Sequence, residues 1–217
     1  MFRAILYTQW KWARLALLPV AVLGFLLPVL SVQDLRAVQE GLSPARFLEG
    51  HAQMGALYPM LGALLALLLA TSAWAADHAG RHVYALTLPI ERGRLVLLRL
   101  GAGLVLLAIP FLTLWVGCLV AAVSAPIPVG LAAYPHLLAL RFLLASIVAF
   151  AMFFAIAAGT ARSAGWVLAL LAAWALAQVL LSSAGSQVDL LTPVLDRVFT
   201  WPGPLDVFTG RWVLIDV

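Results

Sequence analysis

Long apolar runs constrain the fold of this chain more than any other feature. Five stretches lack acidic side chains over roughly the length that a spanning helix needs, namely residues 15–30, 54–76, 95–123, 136–160 and 164–181. A helix rises about 1.5 Å per residue, so about 20 apolar residues cross a hydrocarbon core of about 30 Å. The sequence therefore predicts an all-α, polytopic membrane helix bundle with five spanning helices.

Composition indicates that these runs belong to one transmembrane domain, residues 1–217. Charged residues make up 10% of the chain and hydrophobic residues 65%, whereas soluble domains carry about 25% charged residues. No polar stretch is long enough to build a separate core. The single cysteine, Cys118, lies in an apolar run, which excludes an intrachain disulfide and a cysteine metal cluster.

The two ends of the chain are amphipathic. Residues 1–14 alternate apolar and basic side chains at helical spacing and include tryptophans, which predicts an N-terminal interfacial helix. Near the other end, Thr192 and Pro193 form a typical helix start, and apolar residues on one helical face follow. We therefore expect an amphipathic outer tail over residues 184–217, whose last apolar stretch is too short to span.

Basic residues set the orientation, because cytoplasmic loops are enriched in Lys and Arg. A cytoplasmic N-terminus places most of the 13 basic residues on the inner side, namely Arg3, Lys11, Arg14, Arg81, Arg92, Arg94, Arg99 and Arg162. The outer side then holds the rest, namely Arg36, Arg46, Arg141, Arg197 and Arg211. We expect a multi-pass protein of the plasma membrane, the inner membrane of a bacterium, with its N-terminus in the cytoplasm.

The sequence favours no energy source or catalytic machinery within the chain itself. None of the five runs has an internal Asp or Glu, so proton coupling at membrane depth is not favoured. A phosphate-binding loop needs the lysine of GxxxxGK[ST], and Lys11, the only lysine, lies in no such motif. Arg141 lies near the start of the fourth run, and this position favours a role as an interfacial anchor over a role as a substrate ligand. We expect no enzyme activity, no catalytic, metal or cofactor site, and no nucleic-acid partner.

The polar interruption at residues 77–94, DHAGRHVYALTLPIERGR, is the most informative stretch between two runs. Apolar side chains are interleaved with basic ones, and Pro89 ends any helix there. A short amphipathic helix, a proline break and a basic restart suit a segment that lies on a membrane surface or docks into a groove of a partner.

The same stretch resembles the segment after the second helix of type 2 ABC transporter permeases. It shows an acidic residue, a glycine three positions later, then Leu-Pro-Ile-x-Arg-x-Arg and a spanning helix with a basic residue near its start. The resemblance implies a cytoplasmic coupling segment that docks onto a separate ABC ATPase subunit. It assigns this role to Asp77, Gly80, Arg81, Tyr84, Leu86, Leu88, Pro89, Arg92 and Arg94.

The resemblance also implies partners. ATP and Mg would be bound by the ATPase and not by this chain, and a second permease chain, identical or paralogous, would complete the transporter among membrane lipids. Two departures in the motif are Arg81, where threonine is frequent, and Glu91, where serine is frequent. Such permeases usually have six spanning helices, against the five predicted here.

Two functions follow as alternatives. The chain is either the transmembrane subunit of an ATP-driven ABC exporter, or a non-transport membrane scaffold or assembly factor that anchors a cytoplasmic partner. A basic run after a spanning helix is also, on its own, a common topology signal.

The orientation predicts which positions an impermeant thiol reagent can reach. In a Cys118→Ala background, Tyr84→Cys should be labelled only after the cells are permeabilised, because residues 77–94 face the cytoplasm. Ser43→Cys, in the predicted outer loop, should be labelled in intact cells and serves as the control. Labelling of position 84 in intact cells would overturn the orientation.

Overall fold

The computed structural model describes residues 1–33, 54–79, 91–125, 127, 131–159, 161–183, 192–200, 202–210 and 212–216. Its helices are α1 (Phe2–Gln33), α2 (Leu57–Ala79), α3 (Arg92–Ser124), α4 (Pro135–Ala158), α5 (Ala161–Ser183) and α6 (Thr192–Phe199). A 3₁₀ turn covers Asp206–Phe208, and two short strands, β1 (Ala132–Ala133) and β2 (Ile215–Asp216), pair antiparallel.

Four described helices are long and apolar enough to cross a membrane: Phe2–Val32, Leu57–Ala75, Arg92–Ser124 and Pro135–Ala158. The prediction of an all-α, multi-pass membrane protein is confirmed at this level. The fifth predicted span coincides with α5, which is helical but is not among these four. Its apolar stretch, Ala172–Leu181, is shorter than a span, so a fifth crossing stays a prediction.

The N-terminal segment differs from the sequence expectation. Residues 1–14 do not form a separate helix, because α1 continues without a break for 32 residues through Pro19 and Pro28. No polar or helix-breaking residue separates the basic N-terminal turns from the apolar part, so nothing in the sequence ends the helix there. At about 1.5 Å per residue α1 is about 48 Å long, which exceeds the hydrocarbon core of about 30 Å.

The bundle consists of two parallel helix pairs. In the first, α1 and α3 run side by side in the same direction, because Phe2 lies near Gly101 at one end and Phe25 near Gly117 at the other. In the second, α2 and α4 run together, and Trp74 packs against Phe154 with ring centroids 5.3 Å apart. The predicted span order, in which successive helices alternate in direction, gives this arrangement.

Small residues bring these helices together. In a bilayer, lipid tails are as apolar as leucine, so helix association depends on close packing more than on the hydrophobic effect. The largest fully buried side chains of the bundle are apolar and include Leu17, Leu65, Leu107, Phe142 and Phe150. Gly117 lets α3 approach the backbone of α1 directly.

The C-terminal part folds back onto the bundle. The predicted tail helix is confirmed as α6, and the last apolar stretch is too short to span, as expected. Instead, Trp212, Leu214 and Ile215 are buried. Ala133 pairs with Ile215, and the Tyr134 amide donates a hydrogen bond of 2.8 Å to the Leu214 carbonyl. The tail is thereby attached to the segment that precedes α4.

Replacing Gly117 by alanine should destabilise the bundle. A Cβ there would lie 2.5 Å from the Phe25 carbonyl oxygen and 3.0 Å from its Cα, and a backbone cannot move aside as a side chain can. Overpacking of this kind costs about 1–3 kcal/mol. Thermal unfolding in detergent micelles, followed by circular dichroism, should show a lower midpoint for Gly117→Ala.

Gly93→Ala, on the same helix, is the matched control. A Cβ at Gly93 would meet no atom within 4 Å, and alanine has the higher helix propensity. This variant should be neutral or slightly stabilised. Equal midpoints for the two variants would show that α1 and α3 do not pack as described.

Candidate functional site

The predicted coupling residues lie at one end of the bundle, as far as the structure describes them. Asp77 is in the last turn of α2. Arg92 and Arg94 are in the first turn of α3, and both side chains are exposed. The remaining six residues, Gly80, Arg81, Tyr84, Leu86, Leu88 and Pro89, lie outside the described residues. The coupling role of all nine residues stays a prediction.

The helix ends that flank this segment are joined by a compact group of side chains, which we term the inner cluster: Gln9, Trp74, Arg99, Phe150 and Phe154. The Arg99 guanidinium carbon lies 4.7 Å from the centroid of the Trp74 ring. The Phe150 and Phe154 rings follow, with centroids 5.6 Å apart. The cluster therefore connects α3 to α2 and α4.

Helix α1 joins the same group through a polar contact. The Gln9 side chain is 4% exposed, and its Nε2 donates a hydrogen bond of 3.2 Å to the backbone carbonyl of Arg99. A buried amide is costly without a partner, and a helix carbonyl can accept a second bond. The four candidate spans thus meet within about two turns of the end of α2 and the start of α3.

The helical register explains why Arg99 points inward. It is 7% exposed and shares its face of α3 with Leu95, Ala102 and Leu106, which are also buried. A charged side chain near a membrane span needs a compensating partner. The face of a tryptophan ring is the best aromatic partner for a cation and contributes about 2 kcal/mol or more when the pair is desolvated.

Sequence reasoning identified Arg99 only as the basic residue near the start of the third run. Its contact with Trp74 was missed, although a signal existed. Arg99 recurs at helical spacing with apolar residues, which places it on the buried face and not on the lipid face. An arginine on that face at a helix end requires an aromatic or polar partner on a neighbouring helix.

A second polar site, the outer clasp, lies at the opposite end of the bundle and comprises Arg141, Val207, Thr209, Gly210 and Trp212. Arg141 Nε donates a hydrogen bond of 3.2 Å to the Val207 carbonyl, and Nη2 donates to the Thr209 carbonyl. The guanidinium carbon also lies 4.9 Å from the Trp212 ring centroid. One arginine of α4 therefore contacts the tail at Val207, Thr209 and Trp212.

The backbone of the outer clasp is shaped to receive this side chain. Gly210 has a φ of +82°, a conformation that side-chain-bearing residues rarely adopt. A Cβ at Gly210 would also lie 2.9 Å from Arg141 Nη2. The Trp212 indole donates a hydrogen bond of 3.2 Å to the Phe208 carbonyl, which fixes the ring beneath the guanidinium.

Among the described residues, no group of three or more His, Cys, Asp or Glu side chains could hold a metal ion. His136 instead accepts a hydrogen bond of 3.0 Å at Nδ1 from the Trp115 indole. This contact joins α3 to the start of α4. Arg99, Arg141 and His136 thus attach helices and the tail at the two ends of the bundle.

No protein-family profile, curated protein or solved structure matches the chain. The functional argument accordingly depends on the residues and on their geometry.

Replacing Arg141 by glutamine should release the tail. The change removes two hydrogen bonds from a charged donor, each worth about 1.5–3 kcal/mol, and leaves carbonyl acceptors unpaired. Peptides that cover residues 205–216 should then exchange backbone hydrogen for deuterium at least about tenfold faster, since 1.4 kcal/mol corresponds to a factor of ten.

Arg197→Gln removes an exposed arginine of α6 and is the charge-matched control. It should leave exchange in residues 205–216 unchanged. Slow exchange in the Arg141→Gln protein would show that the outer clasp does not hold the tail.

Proposed function

We propose that this chain is the transmembrane subunit of an ATP-driven ABC exporter, which forms the translocation path and couples to a separate ATPase subunit. The observation that carries the proposal is the inner cluster. It joins α2 and α3, the helices on either side of the docking segment that the sequence motif predicts, immediately next to that segment.

The placement of the inner cluster suits transmission of a mechanical signal. Trp74 lies about 8 Å along the axis before the end of α2, and Arg99 lies about 10 Å after the start of α3, at about 1.5 Å per residue. A displacement of the segment between Ala79 and Arg92 would therefore act on both helices within about two turns. Phe154 and Gln9 extend the connection to α4 and α1.

The docking surface would combine apolar anchors with basic side chains. Tyr84, Leu86 and Leu88 would fill a groove of the ATPase, with Pro89 fixing the angle to α3. Buried apolar anchors usually dominate such an interface, while charges at the rim mainly tune the encounter. Arg92 and Arg94 are exposed and so can serve as rim contacts.

The same segment includes Asp77 and Gly80, which match the permease motif, and Arg81, which stands where threonine is frequent. Under this proposal the partner ATPase binds ATP and Mg, and a second permease chain lines the other side of the path. Four or five helices alone make a small bundle, and close helix contacts at glycine are compatible with pairing in the membrane.

The docking segment should tolerate loss of a rim charge but not of an anchor. Leu88→Asp should abolish capture of the ATPase, because it would bury an unpaired charge at a cost of several kcal/mol. Arg92→Ala should reduce capture only slightly, since exposed ion pairs contribute about 0–1 kcal/mol. Affinity purification from native membranes, followed by mass spectrometry and an ATPase assay of the eluate, measures both.

Leu88→Ile, which keeps the apolar surface, is the matched control, and membrane insertion of every variant is checked by alkaline extraction. A co-purified protein without nucleotide hydrolysis would support the scaffold function instead. If Leu88→Asp inserts normally and retains the full ATPase activity in the eluate, the segment is a topology loop and the exporter proposal fails.

A further inference from the structure

One face of α1 changes character along its length. Towards its C-terminal half this face exposes large apolar side chains, with Leu15 79% exposed, Leu18 52% and Val22 57%. The same face continues towards the N-terminus through Arg14, Lys11, Tyr7 and Arg3, which are also exposed. Positions three and four apart lie above one another on a helix, so these residues form one continuous stripe.

The apolar half of this stripe indicates that lipid surrounds it. Exposed leucine and valine side chains on a spanning helix face the acyl chains of the bilayer. Since α1 has no break, the continuation of a lipid-facing stripe beyond the hydrocarbon core faces the headgroups of the same lipids. The basic half of the stripe therefore faces the headgroups of the lipids whose acyl chains contact the apolar half.

The length of α1 places each basic residue at a particular depth. From Arg14 to the end of α1 at Gln33 the helix rises about 28 Å, which matches a hydrocarbon core of about 30 Å. Lys11 then lies about 5 Å and Tyr7 about 10 Å beyond Arg14. A headgroup layer is about 5–8 Å thick on each side, so Arg14 and Lys11 lie within it and the Tyr7 backbone lies just beyond it, within reach of its side chain.

The charge of this region complements phosphate. The chain contains no acidic residue before Asp34, so nothing on α1 neutralises its cations. Tyr7 is 68% exposed between Arg3 and Lys11, and a phenol, apolar at one end and polar at the other, is typical of the membrane interface.

We propose that Arg14 and Lys11, with Tyr7, form a docking surface for the headgroups of anionic phospholipids, whose acyl chains pack along Leu15 and Leu18. Arg3 lies about 16 Å beyond Arg14. It is outside the headgroup layer and contributes only through long-range attraction, which is screened over about 10 Å. This surface is independent of the ATPase-docking segment and does not rest on the exporter proposal.

The test measures binding of fluorescently labelled phosphatidylglycerol to the purified full-length protein in a non-ionic detergent. Unlabelled phosphatidylglycerol should compete and phosphatidylcholine should not. A basic residue near an anionic surface strengthens binding about five-fold. Arg14→Gln and Lys11→Gln should each weaken binding about five-fold, and the double variant about 25-fold.

Two controls distinguish this site from net charge. Arg3→Gln, on the same stripe but farther out, should weaken binding clearly less than Arg14→Gln does. Arg197→Gln, on α6, should have no effect. Equal losses for all four single variants, or unchanged binding in the double variant, would overturn the proposal.

A last competition experiment distinguishes a lipid headgroup from free inorganic phosphate. Inorganic phosphate at millimolar concentration should not displace the labelled lipid, because it lacks the acyl chains that contact Leu15 and Leu18. Displacement by inorganic phosphate would show a simple anion site and contradict the lipid surface. Circular dichroism confirms folding, and if the double variant does not fold, the single variants give the same decision.

Discussion

The bilayer offers a peptide backbone no water to bind, and it has a fixed thickness. The first condition requires every segment that crosses it to satisfy its own backbone hydrogen bonds, and here the four described spans are helices. Helices α1 and α3, at 32 and 33 residues, are longer than this thickness requires. Their excess length carries charge at the N-terminal end, so the bundle has a basic end that extends beyond the hydrocarbon core.

At each end of the bundle a partly or fully buried arginine contacts a tryptophan ring. An arginine keeps its charge in a protein, so an arginine at the edge of a span needs partners. At the end that holds the inner cluster Arg99 lies over the Trp74 ring, and at the opposite end Arg141 lies over the Trp212 ring. The partners differ in what they connect. Arg99 joins helices to one another, whereas Arg141 joins a helix to the tail.

The pattern of apolar runs predicted the helices well, because a helix that crosses a bilayer must be both apolar and about 20 residues long. It missed the continuity of α1, since a change from basic to apolar residues marks a change of surroundings and need not mark a helix end. The fifth run predicted a span, and α5 is a helix there. Apolarity alone does not separate a crossing from an apolar helix that lies elsewhere.

The contacts of the candidate sites were harder to predict for a different reason. Arg141 donates to the backbone carbonyls of Val207 and Thr209, which lie 66 and 68 positions later in the chain. Every residue type has such a carbonyl, so a sequence pattern cannot identify the acceptor. The pairing of β1 with β2 involves two residues on each side, too few for an alternating pattern. The burial of Arg99, in contrast, follows from its helical register, so a partner could have been sought on the neighbouring helices.

A double-mutant cycle on Arg99 and Trp74 tests the central claim most directly, namely that the end of α2 and the start of α3, which flank the proposed docking segment, are joined. Unfolding free energies in detergent are measured for the parent protein, Arg99→Met, Trp74→Leu and the double variant. The contact predicts that the two losses are not additive, with an interaction energy of about 1–2 kcal/mol. Additive losses, within about 0.3–0.5 kcal/mol, would show that the helix ends move independently and would contradict the account.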